Sequence, residues 1–146
     1  MDYWDIDYLK EEQYRAVLCN KKEIVEIYRV NEYLNKLFKK HLINLSEYKK
    51  LVNKKVNIAI RPPLYLDEKL LLWQIKIDDN IYYINWMNVC NILKEENKLH
   101  FYFCDGYTLD LVINNRKYAR DKQKLISFIN YINQQKNINI AIDYLA

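Results

Sequence analysis

The chain reads as an α+β protein: N-terminal helices, then an antiparallel β-sheet closed by a long C-terminal amphipathic helix. Three observations predict this. Apolar residues recur at helical spacing over the first third of the chain, the period shortens to two after Lys55, and a helical stripe returns from about Tyr118. Strands that follow one another through short turns favour antiparallel pairing over βαβ units.

Residues from Asp7 to Leu18 have a helix-forming composition, with Asp7 placed to cap and acidic residues in the first turn. A second helix is predicted from about Lys22 to Lys40. Its apolar face is Ile24, Ile27, Tyr28, Leu34, Leu37 and Phe38, and Lys36, Lys39 and Lys40 turn to solvent. Asn44 stands three residues before Glu47, a capping-box spacing with Asn in the Ser or Thr place. Ile43 and Tyr48 flank it as a hydrophobic staple, and a short helix follows to about Lys54. The tight turn His41–Asn44 makes the pair a helical hairpin, with His41 as a cap or cation at the end of the first helix.

Val56, Ile58 and Ile60 then alternate with Asn57 and Ala59 as a half-buried strand does, and Pro62 and Pro63 end it because neither can donate to a ladder. Leu70–Ile77 is the next strand, Asp78-Asp79-Asn80 its turn, and Ile81–Trp86 its partner. Val89–Leu93 continues extended or with a bulge. After the turn Glu95-Glu96-Asn97, Leu99, Phe101 and Phe103 share one face while His100 and Tyr102 face the other way. Asp105-Gly106 uses the only glycine and is a two-residue hairpin signal, answered by Leu109, Leu111 and Ile113. A helix from about Tyr118 to Gln135 presents Leu125, Phe128, Ile129 and Ile132, and the alternating Ile138, Ile140 and Ile142 suggest a last edge strand. The division expected is a helical segment 1–55 and a sheet-plus-helix segment 56–146 within one compact unit. Its core is Ile24, Leu34, Leu37, Leu51, Leu72, Ile75, Ile84, Trp86, Phe101, Phe103, Leu111, Leu125, Phe128 and Ile132.

At 146 residues the chain is large enough to bury a core without disulfides or a structural metal. One Gly and two Pro exclude a Gly-rich phosphate loop and a flexible linker. Seventeen Asn and fourteen Tyr, with abundant Lys and Ile, point to an A/T-rich genome such as that of a low-GC bacterium, its phage, or another A/T-rich virus or parasite. The start is acidic where a signal peptide would be basic and then apolar, and no apolar run approaches the ~20 residues of a membrane span. A cytoplasmic protein without membrane contact is therefore expected. Cys19, Cys90 and Cys104 are an odd set without close pairing, expected as buried free thiols in a reducing compartment.

No Cys or His spacing suits a zinc site, and no nucleophile elbow or phosphate loop is present. His100 alternates with core residues and should face outward, while Asp105 and Asp110 flank a hairpin tip as turn and solvating residues. No catalytic residue, metal ligand or cofactor is assigned, and the expectation is a non-enzymatic binding protein. The candidate binding surface is Lys36, Lys39, Lys40, Lys50 and Lys54 on the helical hairpin, Arg116, Lys117 and Arg120 in a second basic run, and Tyr102. The lysines could neutralise phosphates without base specificity, and an outward Tyr could stack a base or a partner side chain.

Two resemblances bear on this. Residues 70–133, with strands 70–77 and 81–86, the stretch Ile84-Asn85-Trp86-Met87-Asn88-Val89-Cys90-Asn91-Ile92, the Asp105-Gly106 hairpin, a basic loop and a closing helix, resemble a bacterial pleckstrin-homology-like module. Residues 33–52, through Leu34, Leu37, Leu42, Ile43, Glu47, Tyr48 and Leu51, resemble the helical hairpin of the short C-terminal domain family, although here it is internal and His41 replaces the usual turn Gly. Together they imply an adaptor working through protein–protein contacts. A small nucleic-acid-binding regulator using the Lys-rich hairpin 36–55, or a phage- or virus-encoded inhibitor of a host protein, are the alternatives. The sequence assigns no oligomeric state.

Overall fold

The computed structural model describes residues 1–143 and 145, and among them the chain forms nine strands and three α-helices. In order they are β1 (Tyr8–Glu11), β2 (Ala16–Cys19), β3 (Ile24–Ile27), α1 (Val30–Lys40), α2 (Leu45–Val56), β4 (Leu64–Asp67), β5 (Leu70–Ile77), β6 (Asn80–Asn85), β7 (Val89–Glu95), β8 (Lys98–Phe103), β9 (Thr108–Val112) and α3 (Asn115–Lys136). A six-stranded antiparallel sheet runs in the order β3-β2-β1-β6-β5-β4, and a separate three-stranded sheet in the order β7-β8-β9. The class is α+β with antiparallel sheets, and α3 closes the described elements. Three strands precede the helices, however, and the large sheet is open.

The six-stranded sheet is covered on both faces. On one, Ile6, Leu9, Ala16, Leu18, Leu70, Leu72 and Tyr83 pack against Val30, Leu34, Leu37 and Phe38 of α1. On the other, Tyr8, Val17, Cys19, Leu71, Trp73, Ile75 and Ile84 meet Leu99, Phe101 and Phe103 of β8 and Leu125, Phe128 and Ile129 of α3. Double coverage explains why Leu70-Leu71-Leu72-Trp73 is apolar without a break: consecutive side chains enter opposite cores. An aromatic cluster joins the two sheets, with Trp73 edge-on to Trp86 and Phe101 at 5.9 and 6.0 Å. Each indole nitrogen finds a carbonyl at 3.0 Å, Asp121 for Trp73 and Ala141 for Trp86.

The helix expected from Asp7 to Leu18 is a β-hairpin. Its strands lie between the two cores, so the alternation that marks a half-exposed strand is missing, and Glu12 opens the turn instead of a helix, its N–H bonded to the Arg15 carbonyl at 2.7 Å. The following helix starts at Val30, not Lys22. The β-branched run Ile24-Val25-Glu26-Ile27 forms an edge strand, which leaves Ile24 57% exposed and outside the core. Because β1 pairs with β6, residues 1–55 are not a helical segment set apart from the sheet.

The hairpin α1–α2 forms as read. Asn44 Oδ1 accepts the Glu47 N–H at 3.0 Å, and His41 is the C-cap of α1 with Nδ1 3.1 Å from the Leu37 carbonyl. The strand expected over Val56–Ile60 is absent. Helix α2 runs on to Val56, and Asn57 takes the left-handed conformation that ends a helix. Leu51 is half exposed, because α2 buries Leu45 and Val52 and carries Leu51 to the shoulder. The rest of the expected core is buried. The tail Ile138–Ile142 makes no strand: Asn133 brackets Ile140 instead, accepting its N–H and donating to its carbonyl.

Asn85 holds the corner where the chain leaves the large sheet. It is fully buried, and its side chain accepts from Leu71 N (3.2 Å) and Met87 N (3.3 Å) while donating to the Ile6 carbonyl (2.9 Å) and the Lys69 carbonyl (3.2 Å). Both lone pairs and both protons are thus used. Asn85→Ala strands several of these groups in the interior and is expected to cost at least about 3 kcal/mol in urea unfolding. Phe128→Ala should cost about 3–5 kcal/mol, against less than about 1 kcal/mol for Leu51→Ala on its exposed shoulder.

Candidate functional site

The lysines of the hairpin do not gather at one point. Lys36 pairs with Glu32 at 3.2 Å and Lys50 with Glu47 at 3.5 Å, each on its own helix. Lys39 and Lys40 close the last turn of α1 and Lys54 the last turn of α2, where cations complement the helix dipole. About ten residues of α2 lie between those two ends, roughly 15 Å at the helical rise. Arg116, Lys117 and Arg120 stand on the first turns of α3. Lys117 is engaged there by the buried Asp121 at 3.1 Å, and Lys94 of β7 bonds Asn115 Oδ1 at 2.7 Å.

The three-stranded sheet turns one face inward and leaves the other open. The register sets three outward rows: Asn91, Tyr102 and Thr108; Leu93, His100 and Asp110; Glu95, Lys98 and Val112. Leu93, Tyr102 and Val112 are 43%, 40% and 62% exposed, so three large apolar groups lie diagonally across an uncovered surface. His100 occupies its centre, with Nδ1 2.6 Å from Asp110 Oδ1 and Nε2 3.2 Å from Glu95 Oε2. The bond to Asp110 comes first in holding the imidazole above its usual range, ahead of the opposing effect of desolvation. Tyr102 is therefore where the sequence puts it, and the His–carboxylate pair is an addition. Its signal was present: His100 and Asp110 are equally distant from Asp105, so the hairpin makes them cross-strand partners.

A polar cleft of about 470 Å³ lies where the β2–β3 turn meets the tip of the β8–β9 hairpin. Asp7 lies in it, 1% exposed, and is not a helix cap. Its backbone is set by the pairing of Asp7 N with the Cys19 carbonyl (2.9 Å) and of Asn85 N with the Asp7 carbonyl (2.8 Å). Burial, then the hydrogen bond to Asp105 and the charges of Asp105 and Asp5, push the Asp7 carboxyl up to about 8. At neutral pH it is protonated and donates to Asp105. Burial alone would raise Asp105 too, but that donated proton and the amides of Tyr107 and Lys21 hold it below the usual range. Cys104 also lines the cleft, and partial desolvation of its thiol in an otherwise exposed residue, followed by the neighbouring Cys90 thiol, lifts it to about 11. Cys90 and Cys104 are exposed, contrary to the buried state expected of them, because the bulge after Val89 turns Cys90 outward and Cys104 sits in the hairpin tip. Cys19 is buried, at the end of β2.

No family model, curated protein or solved structure matches the chain. No helix among the described residues is long and apolar enough to cross a membrane.

The His100 site has a signed consequence. Its imidazole binds a proton more tightly when folded, so the stabilisation is complete below about pH 6.5, the ordinary histidine value, and is lost as pH rises through the raised folded value. Asp110→Asn should bring the His100 titration, followed by NMR of the imidazole C–H, back down towards that ordinary value. It should also flatten the decline of stability above it.

Proposed function

We propose that the protein is a non-catalytic binding module that meets a protein partner through the open face of the three-stranded sheet. The observation that carries this is the set Leu93, Tyr102 and Val112 on one uncovered surface, surrounding a His–carboxylate pair. Aromatic and aliphatic side chains in such a setting supply the desolvated centre of an interface, and the surrounding charges give register. Strand β9 adds a free edge, since β8 is its one partner among the described residues, and its backbone is open to an added strand. The order of two strands, a corner, three strands and a long helix over residues 70–136 supports a pleckstrin-homology-like reading of this half, and α1–α2 supports a hairpin of the short C-terminal domain type.

A nucleic-acid role would instead need the lysines of α1 and α2, of which Lys36 and Lys50 are already paired. The two readings separate by variant. Tyr102→Asp with Val112→Asp should lose at least about tenfold of a captured protein partner while leaving unfolding within about 0.5 kcal/mol of wild type, as exposed changes do. Glu at Lys39, Lys40, Lys50 and Lys54 should leave that capture intact. Retention of DNA or RNA on a filter at low salt, abolished by the lysine variant, would replace this reading with the nucleic-acid one.

A further inference from the structure

We propose that the cleft between the β2–β3 turn and the β8–β9 tip binds a guanidinium or primary ammonium group through the carboxyls of Asp7 and Asp105. The site is set apart from ordinary surface acids by Asp7. That residue is 1% exposed, lines the cleft, and its Oδ2 receives no donor from the described residues. Its position is imposed by β-sheet bonds on both sides of its backbone, so the carboxyl is held in the cleft and not drawn there by partners. Asp105 faces it on a turn secured by two of its own bonds, Oδ1 from Tyr107 N at 2.9 Å and Oδ2 from Lys21 N at 3.2 Å.

The groups facing Asp7 are Asp5 from the N-terminal turn, Lys21, Lys22 and Glu23 from the β2–β3 turn, and Cys104 and Asp105 from the hairpin tip. With Asp7 ionised, four carboxylates line the cleft with two lysines, and the Met1 ammonium stands 3.8 Å from one of the four, Glu23. Lys21 meets Asp105 through its backbone amide, and its ammonium lies against Gly106. The described residues hold no group of three or more His, Cys, Asp or Glu suited to a metal ion. Two adjacent carboxylates do suit a single flat or tripodal donor, and a guanidinium can give one N–H to each.

Proton linkage makes the proposal testable. Asp7 keeps its proton to about pH 8, and a cation entering beside it must displace that proton. Affinity should therefore rise about tenfold per pH unit below that value and level off above it. The experiment is calorimetric titration of the full chain with methylguanidinium chloride at about pH 6, 7 and 9, in two buffers of different ionisation enthalpy. Saturable binding is expected, with about one proton released per cation at the lower pH values and none at the highest. Asp7→Asn, a near-isostere that can still donate to Asp105, should abolish the pH dependence and weaken binding at high pH by at least about tenfold. Unchanged thermal unfolding at low pH would show the variant folded; if it is not, Asp105→Asn and the proton release of wild type decide. A parallel titration with N-acetyl-arginine methylamide assigns the source. Tighter binding than methylguanidinium supports a basic side chain of a protein partner, and equal binding supports a free small cation. Absence of saturable binding by both probes, or binding that releases no proton at low pH, overturns the proposal.

Discussion

Much of the molecule hangs on one buried amide. At Asn85 the chain leaves the six-stranded sheet and turns into the three-stranded one, and a corner in the interior leaves backbone groups that neither ladder can satisfy. The Asn85 side chain takes up four of them, from Ile6, Lys69, Leu71 and Met87. Asn88 repeats the device, donating to the carbonyls of Trp4 (3.1 Å) and Ile6 (2.8 Å). The N-terminal segment is thereby tied to the corner before β1 begins. The same corner sets Trp86 against Trp73, which places β7–β9 over the large sheet with its second face to solvent. Both candidate surfaces are consequences: the open sheet face is what this stacking leaves uncovered, and Asp7 is positioned by the Asn85 N–H.

Strands β7–β9 were legible because they are half exposed. Leu99, Phe101 and Phe103 alternate with Lys98, His100 and Tyr102, and Asp105-Gly106 marks the turn between β8 and β9. The first third was not legible, for the opposite reason. Strands β1 and β2 feed two cores at once, Leu9 and Leu18 into one and Tyr8 and Val17 into the other, so no period of two appears. Each is four residues long, too short for a run of β-branched residues to outweigh Glu11, Glu12 and Ala16, which favour a helix locally. Long-range pairing with β6 decides the matter, and no local signal reports it. The failure at Val56–Ile60 is of another kind. The alternation there is real, but Pro62 and Pro63 and the left-handed Asn57 leave the segment without a ladder. Its neighbours are stapled by side chains instead: Gln74 donates to the Pro62 carbonyl at 2.7 Å and Tyr48 to that of Pro63 at 3.1 Å.

Of the site residues, Tyr102 was readable because facing out of a strand is a matter of parity. The lysines were readable as exposed but not as a site, since spacing along two helices does not show that cations converge or that Glu32 and Glu47 pair with two of them. Asp7 is hidden for the same reason as β1: an acid ahead of Tyr8 and Leu9 looks like a helix cap unless the strand pairing is known.

What marks Asp7 as more than a misplaced turn residue is its cost. The folded protein keeps its proton to about pH 8, whereas the unfolded chain releases it near 3.8. A group whose folded pKa is raised gives its full contribution below the unfolded value, so burying Asp7 removes stability progressively from about pH 4 to about pH 8. Asparagine could fill the same space and donate to Asp105 without that loss. The backbone bonds that hold this position in the sheet would serve either residue equally. The carboxylate is therefore unnecessary for the fold and adverse to it at neutral pH, which is the pattern expected where local stability gives way to binding. A cation beside Asp7 would reverse the balance by stabilising the ionised form that burial and the charges of Asp105 and Asp5 disfavour.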